Sequence, residues 1–151
     1  MKTLKMLFIY TFLLLFITTA CKEKSSLENE MDHTEAIGVV VYHNEKPYFK
    51  VVNTLIDTTI AKEFLVPLNE ERYFEVKFID AEGYEETPTD SSKNFSWVVD
   101  DATLIEAQLL ANEKFKFKIR GLKSGKTLIE FRLNHYDHPD FKTPKVPLVV
   151  K

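Results

Sequence analysis

One cysteine stands in the whole chain of 151 residues, at position 21. An intrachain disulfide is therefore excluded, and whatever folds must hold by packing alone. Catalytic signatures are missing too. There is no Gly-x-Ser-x-Gly elbow, no glycine-rich phosphate loop and no His-Glu-x-x-His pair. The chain is read as non-enzymatic. Positive charge is not in excess, with 20 Lys+Arg against 23 Asp+Glu, and no basic patch is interleaved with aromatic residues. That leaves no electrostatic footprint for nucleic acid. No internal repeat and no second domain boundary are visible.

What is present is strand material. From Lys114 to Arg120 the residues alternate strictly, with Phe115, Phe117 and Ile119 on one side and Lys114, Lys116, Lys118 and Arg120 on the other. Period-two alternation is the mark of a half-buried strand, whose successive side chains point to opposite faces. After Gly121-Leu-Lys-Ser-Gly125 it resumes, with Thr127, Ile129, Phe131 and Leu133 against Leu128, Glu130 and Arg132. Two amphipathic strands joined by a short Gly-bounded turn predict an antiparallel pair. The lysine row is expected on the solvent face, where Lys discourages edge-to-edge pairing. Upstream, residues 36–42 and 47–52 predict a hairpin, residues 63–68 a short strand, and residues 72–80 another with Phe74, Val76 and Phe78 on one face. Residues 81–94 and 134–145 read as loops, and Val146 to Val150 as a final strand. Residues 103–112 are compatible with either a helix or a strand. Eight or nine short strands with turn signals between them predict an all-β sandwich or barrel.

The N-terminus carries an address. Lys2 and Lys5 precede a nearly unbroken apolar run from Met6 to Ile17, and Thr18-Thr19-Ala20 lead directly to Cys21. A charged start, a short apolar segment and small residues describe a secretory signal; the run is too short to span a bilayer comfortably. With the cysteine right after Ala20, the segment resembles a bacterial lipoprotein signal, although Thr18 stands where that family prefers Leu. The resemblance implies cleavage after residue 20, acylation of Cys21 and attachment to the membrane through acyl chains, each worth about 0.8 kcal/mol per buried CH₂. An acylated sulfur also escapes the oxidation that threatens a lone exported thiol. Residues 1–20 hold two lysines and no acid, so without them 18 basic residues face 23 acidic ones, a net charge near −5. Residues 21–34 read as the acylated cysteine and a flexible tether. The expected location is the bacterial cell envelope, at the outer membrane.

Trp97, Asp100-Asp101, Leu104-Ile105-Glu106-Ala107 and Ile119-x-Gly121-Leu122-x-x-Gly125-x-Thr127-x-Ile129 resemble the second half of a bacterial immunoglobulin-like domain. Val98-Val99 depart from the family, which often has serines there. The resemblance covers about 40 residues and implies an immunoglobulin-like β-sandwich over residues 35–151, with Trp97 packed in its core.

The stretch with most chemistry is His135-Tyr136-Asp137-His138-Pro139-Asp140. Two imidazoles and two carboxylates offer ligands for zinc or copper. On one strand His135 and His138 would point to opposite faces, so chelation needs a loop there. The resemblance places that loop at the same pole as the start of the first strand, where His33 and Glu35 lie. A set of His33, His135 and His138 is then possible, with His43 at the opposite pole. The competing reading is a solvated loop whose histidines decorate a turn. The acids around Gly83 read as a hairpin tip, lacking the regular ligand spacing of a calcium loop. Two functions follow: an envelope binding or accessory module that captures a metal and hands it to a transporter or envelope partner, or a structural or adhesive domain making protein contacts.

Overall fold

The computed structural model describes residues 36–151. Residues 1–35 lie outside it, and with them the segments read as a signal peptide and a tether, Cys21 and His33. Twelve strands fill the described part, in the order β1 (Gly38–His43), β2 (Lys46–Val52), β3 (Leu55–Ile56), β4 (Phe64–Val66), β5 (Glu71–Ile79), β6 (Glu85–Glu86), β7 (Lys93–Val99), β8 (Ile105–Leu110), β9 (Glu113–Gly121), β10 (Gly125–His135), β11 (His138–Lys142) and β12 (Val146–Val150). The one helical piece among the described residues is a 3₁₀ turn, Ala102–Leu104, which Asp101 opens by accepting from the Thr103 N–H. No helix among them is long and apolar enough to cross a membrane.

The strands form two sheets. One runs β3-β2-β1-β5-β9-β8 with β6 added to β5; the other runs β11-β10-β12-β4 with β7 on β10. Ile129 of β10 faces Val99 on one side and Val146 on the other, and Leu133 faces Phe95 and Phe141. β7 therefore lies along one flank of β10, while β12 and β11 share the opposite flank end to end. Every pairing is antiparallel except β4 beside β12. In this arrangement β1, β5, β9 and β8 take the places of strands A, B, E and D of an immunoglobulin sandwich, and β7, β10 and β12 those of C, F and G. The fold is an all-β, immunoglobulin-like sandwich. It has more strands than the eight or nine expected, because the two-residue β3 widens one sheet beyond β2, and β6 and β11 are short additions inside segments that read as loops.

Both sheets turn alternate residues inward. Phe74, Val76 and Phe78 of β5 and Phe115, Phe117 and Ile119 of β9 meet Phe95 of β7 and Ile129, Phe131 and Leu133 of β10. Phe95 bridges the layers, its ring centroid 5.4 Å from Phe117 and 5.9 Å from Phe131. Phe64 meets Phe131 edge-on at 5.4 Å. Burying one such side chain contributes about 1.5–3 kcal/mol, so this aromatic layer replaces the disulfide the sequence lacks. Among the described residues the core cluster runs from Val39 to Val150, with Ala36 packed against it.

Three expectations need correction. The strands on either side of Gly121-Leu-Lys-Ser-Gly125 do not pair: β9 pairs with β5 and β8, and β10 with β7, β11 and β12. The turn carries the chain from one sheet to the other, so the two apolar faces look at each other across the core. The lysine row guards no edge, since β9 lies between β5 and β8. Its charges are instead matched laterally: Lys118 reaches Glu71 at 2.8 Å and Arg120 reaches Glu106 at 2.6 Å. Residues 134–145, read as a loop, contain the end of β10 and all of β11. Residues 103–112, left open between helix and strand, hold the 3₁₀ turn and β8.

Candidate functional site

The inward phase of β10 continues past Leu133 to His135, which is 4% exposed. Tyr136 and Asp137 make a two-residue connection, with Tyr136 at φ 53°, and β11 returns so that His138 stands opposite His135. The imidazoles that a single strand would have sent to opposite faces are brought together by a hairpin. Their ring centroids are 5.7 Å apart and nearly perpendicular. The ladder then shifts register: Asn134 pairs with Pro139 and Leu133 with Phe141, which leaves Asp140 as the extra residue of a bulge. A bulge re-aims a side chain, and here the Asp140 carboxylate turns toward both histidines. Its Oδ1 lies 3.4 Å from His138 Nδ1 and its Oδ2 3.9 Å from His135 Nδ1.

The two nitrogens and one carboxylate oxygen all fall within 4.8 Å of one another. A tetrahedral metal with bonds near 2.1 Å wants its ligand atoms roughly 3.3 Å apart. The Asp140 contacts already approach that spacing. The remaining closure falls to His138, whose side chain is about half exposed and able to turn. His135 and Asp140, by contrast, are held: their side chains are 5% and 4% exposed, and the Tyr136 ring lies on His135 with centroids 4.6 Å apart.

Lys93 belongs to the same layer. It faces His135 across the β7–β10 ladder and is 1% exposed. Nearby, Asp90 is held below the usual carboxylate range, chiefly by hydrogen bonds from Ser92 and further by the charges of His135 and Lys93. Sequence reasoning left Asp140 out of the ligand set it chose, and it missed Lys93. Asp140 was visible as a carboxylate in the cluster, but the bulge that aims it was not. Lys93 was taken as the end of a loop.

The other sequence candidates separate. His33 and Glu35 lie outside the described residues. His43 belongs to the other sheet, where its Nδ1 meets the Tyr73 carbonyl at 2.9 Å and its ring packs on Phe74. Trp97 points into the core against Phe117 and Phe95, at 5.3 and 5.6 Å. It is nonetheless only partly buried, and with Val99, Ile105, Ala107 and Leu122 it lines an open hollow of about 640 Å³. The acidic tip closes on itself, the Asp80 carboxylate accepting from the Tyr84 N–H at 2.8 Å.

No family model and no curated protein matches the chain. Among solved structures it is similar to domains 4 and 5 of the S-layer protein SbsC, at 17% identity over 59% of this chain and 47% of that one, with a TM-score of 0.40. Domains 5–6 of the same protein give 18% identity over 60% of this chain and 40% of that one, TM-score 0.41. Domains 4–9 give 17% identity over 60% of this chain and 13% of that one, TM-score 0.42. The chain spans less than half the length of each of these structures. Likenesses of this size are partial, and they carry nothing about what the chain binds.

Proposed function

We propose that this protein is a non-enzymatic lipoprotein of the bacterial envelope, anchored through Cys21, whose sandwich is a binding module for a transition metal. The carrying observation is the convergence of His135, His138 and Asp140 on the β10–β11 hairpin. Two imidazoles and a carboxylate form a borderline donor set, suited to zinc or cupric ion and poorly suited to calcium or magnesium, which prefer all-oxygen surroundings. Asp140 supplies a third ligand atom beside the two imidazoles; His33 lies outside the described residues. The tether and acyl chains would hold the module at the outer membrane, within reach of an envelope or transporter partner that takes the metal.

The test is a calorimetric titration of the chain from Lys22 onward, which contains every residue of the described core, with Zn²⁺ and with Cu²⁺. One-to-one binding at micromolar affinity or better is expected, and it disappears when His135 and His138 are both changed to alanine. Weak binding that the double substitution leaves unchanged would overturn the metal reading.

Lys93 favours a second reading. A buried ammonium opposite His135 brings positive charge to the layer that holds the Asp140 carboxylate, as a bound cation would. In that case the cluster is a structural charge network, and the sandwich is a spacer or adhesive domain making protein contacts. The two readings part on Lys93→Met. Removing the ammonium strengthens Zn²⁺ binding in the first, and in the second it destabilises the fold with no metal bound.

A further inference from the structure

The path of the chain into β1 bears on the metal site. The Ile37 N–H donates to the Ile79 carbonyl at 2.8 Å, so the chain joins the first sheet beside the end of β5. One residue back on β5, Phe78 meets Phe141 edge-on with centroids 6.0 Å apart. Phe141 follows Asp140 on β11 and faces Leu133 of β10. The entry to β1 and the His135–His138 hairpin therefore stand across the sandwich from each other at one pole. Facing sheets lie about 10 Å apart. Ala36, at the entry, packs against the core. His33 precedes it by three residues, and three extended residues also span about 10 Å.

The chemistry selects His33 from that segment. A closed structural zinc site takes four protein ligands, and the described residues bring three together, His135, His138 and Asp140. Imidazole suits zinc and cupric ion better than a second carboxylate does. Glu35, a single residue from Ala36, also has a third of the backbone reach. We infer that His33 is a fourth ligand, and that His33, His135, His138 and Asp140 close one metal site between the segment preceding β1 and the β10–β11 hairpin. The inference rests on the metal-binding reading and deepens it by naming how release is regulated. The bound metal joins the root of the tether to the sandwich. Drawing His33 away opens the site, while the other three ligands stay on the hairpin.

The experiment is electron paramagnetic resonance of one equivalent of Cu²⁺ on the chain from Lys22 onward, with Zn²⁺ calorimetry beside it. The expected spectrum shows hyperfine coupling to three nitrogens, falling to two in His33→Ala and staying at three in Glu35→Gln. Zn²⁺ affinity should fall about tenfold or more in His33→Ala and hold in Glu35→Gln. His33→Ala alters no residue of the described core, so a lost nitrogen reports the ligand and not unfolding. Two nitrogens in the parent, three that survive His33→Ala, or an affinity loss confined to Glu35→Gln would each overturn the assignment of His33 while leaving the hairpin a metal site. Absence of protein-bound copper together with absence of Zn²⁺ binding defeats the metal reading itself, so the two failures are told apart.

Discussion

Changing Gly121 to alanine tests how the two sheets are joined. Gly121 ends β9 where the chain leaves one sheet for the other, and its backbone is engaged on both sides. Its N–H donates to the Pro67 carbonyl at 3.1 Å, and its own carbonyl accepts from Asn69 at 2.8 Å. A Cβ at this position would stand 2.4 Å from Val150 Cγ1 and 2.7 Å from the Pro67 oxygen. Neither neighbour gives way cheaply: Val150 is a β-branched residue 1% exposed, and the oxygen belongs to the backbone that leads from β4 to β5. Overpacking of this kind costs about 1–3 kcal/mol, and a backbone clash belongs at the upper end. For a domain of this size that is a fall in Tm of roughly 10 °C. Gly125→Ala is the control, since its Cβ would meet only Leu104 side-chain carbons at 3.2 Å, and a cost below about 1 kcal/mol is expected there. Thermal unfolding followed by the fluorescence of Trp97 reads both. If Gly121→Ala unfolds within about 3 °C of the parent, or no earlier than Gly125→Ala, the close approach does not constrain the crossover and the reasoning is wrong.

Thr143 closes the gap between β11 and β12: it is 2% exposed, its hydroxyl oxygen accepts from the Phe131 N–H at 3.0 Å, and its N–H returns to the Phe131 carbonyl at 2.9 Å. Thr143→Val leaves a buried N–H without its acceptor, so urea unfolding should show a loss of about 1–3 kcal/mol, while Thr143→Ser keeps most of it; equal losses in the two would refute the bridging role. On the outer face, the Tyr42 hydroxyl donates to Glu85, and that hydrogen bond, with burial and the charges of Glu85 and Glu75, pushes the phenol up to about 12. Burial pulls the Glu85 carboxyl upward, but the hydrogen bonds from Tyr42 and Lys50 and the lysine charges outweigh it, and its pKa falls below the ordinary value. A raised phenol stabilises the fold below its ordinary pKa of 10 and loses that contribution as pH climbs toward about 12. A lowered carboxyl stabilises above its ordinary 4.5 and loses that contribution as pH falls through the folded value. The stability difference between the parent and Tyr42→Phe should therefore be flat across neutral pH and shrink at both ends. A difference that stays constant up to pH 11 would rule the coupling out.

Most of the strands are legible in the sequence, because alternation is local. Phe115-Phe117-Ile119 and Ile129-Phe131-Leu133 carry their inward phase in their own spacing, and the structure keeps it. The class of fold followed, since short amphipathic strands without disulfides must bury their faces against one another. Which strand lies beside which was not legible. The turn from Gly121 to Gly125 reads as a hairpin in any window of the chain. Only contact with Val150, Pro67 and Leu104, distant in sequence, makes it a crossing between sheets. The candidate site divides in the same way. The ligand types were plain in residues 135–140, but a strand's period sends His135 and His138 apart. What unites them is a two-residue connection and a one-residue bulge, and both depend on how β11 registers against β10. Lys93 is the sharpest case: it reads as part of a loop, and in the structure it begins β7 opposite His135 and is 1% exposed. Side-chain chemistry is written in the sequence; its convergence is set by register, which long-range packing decides.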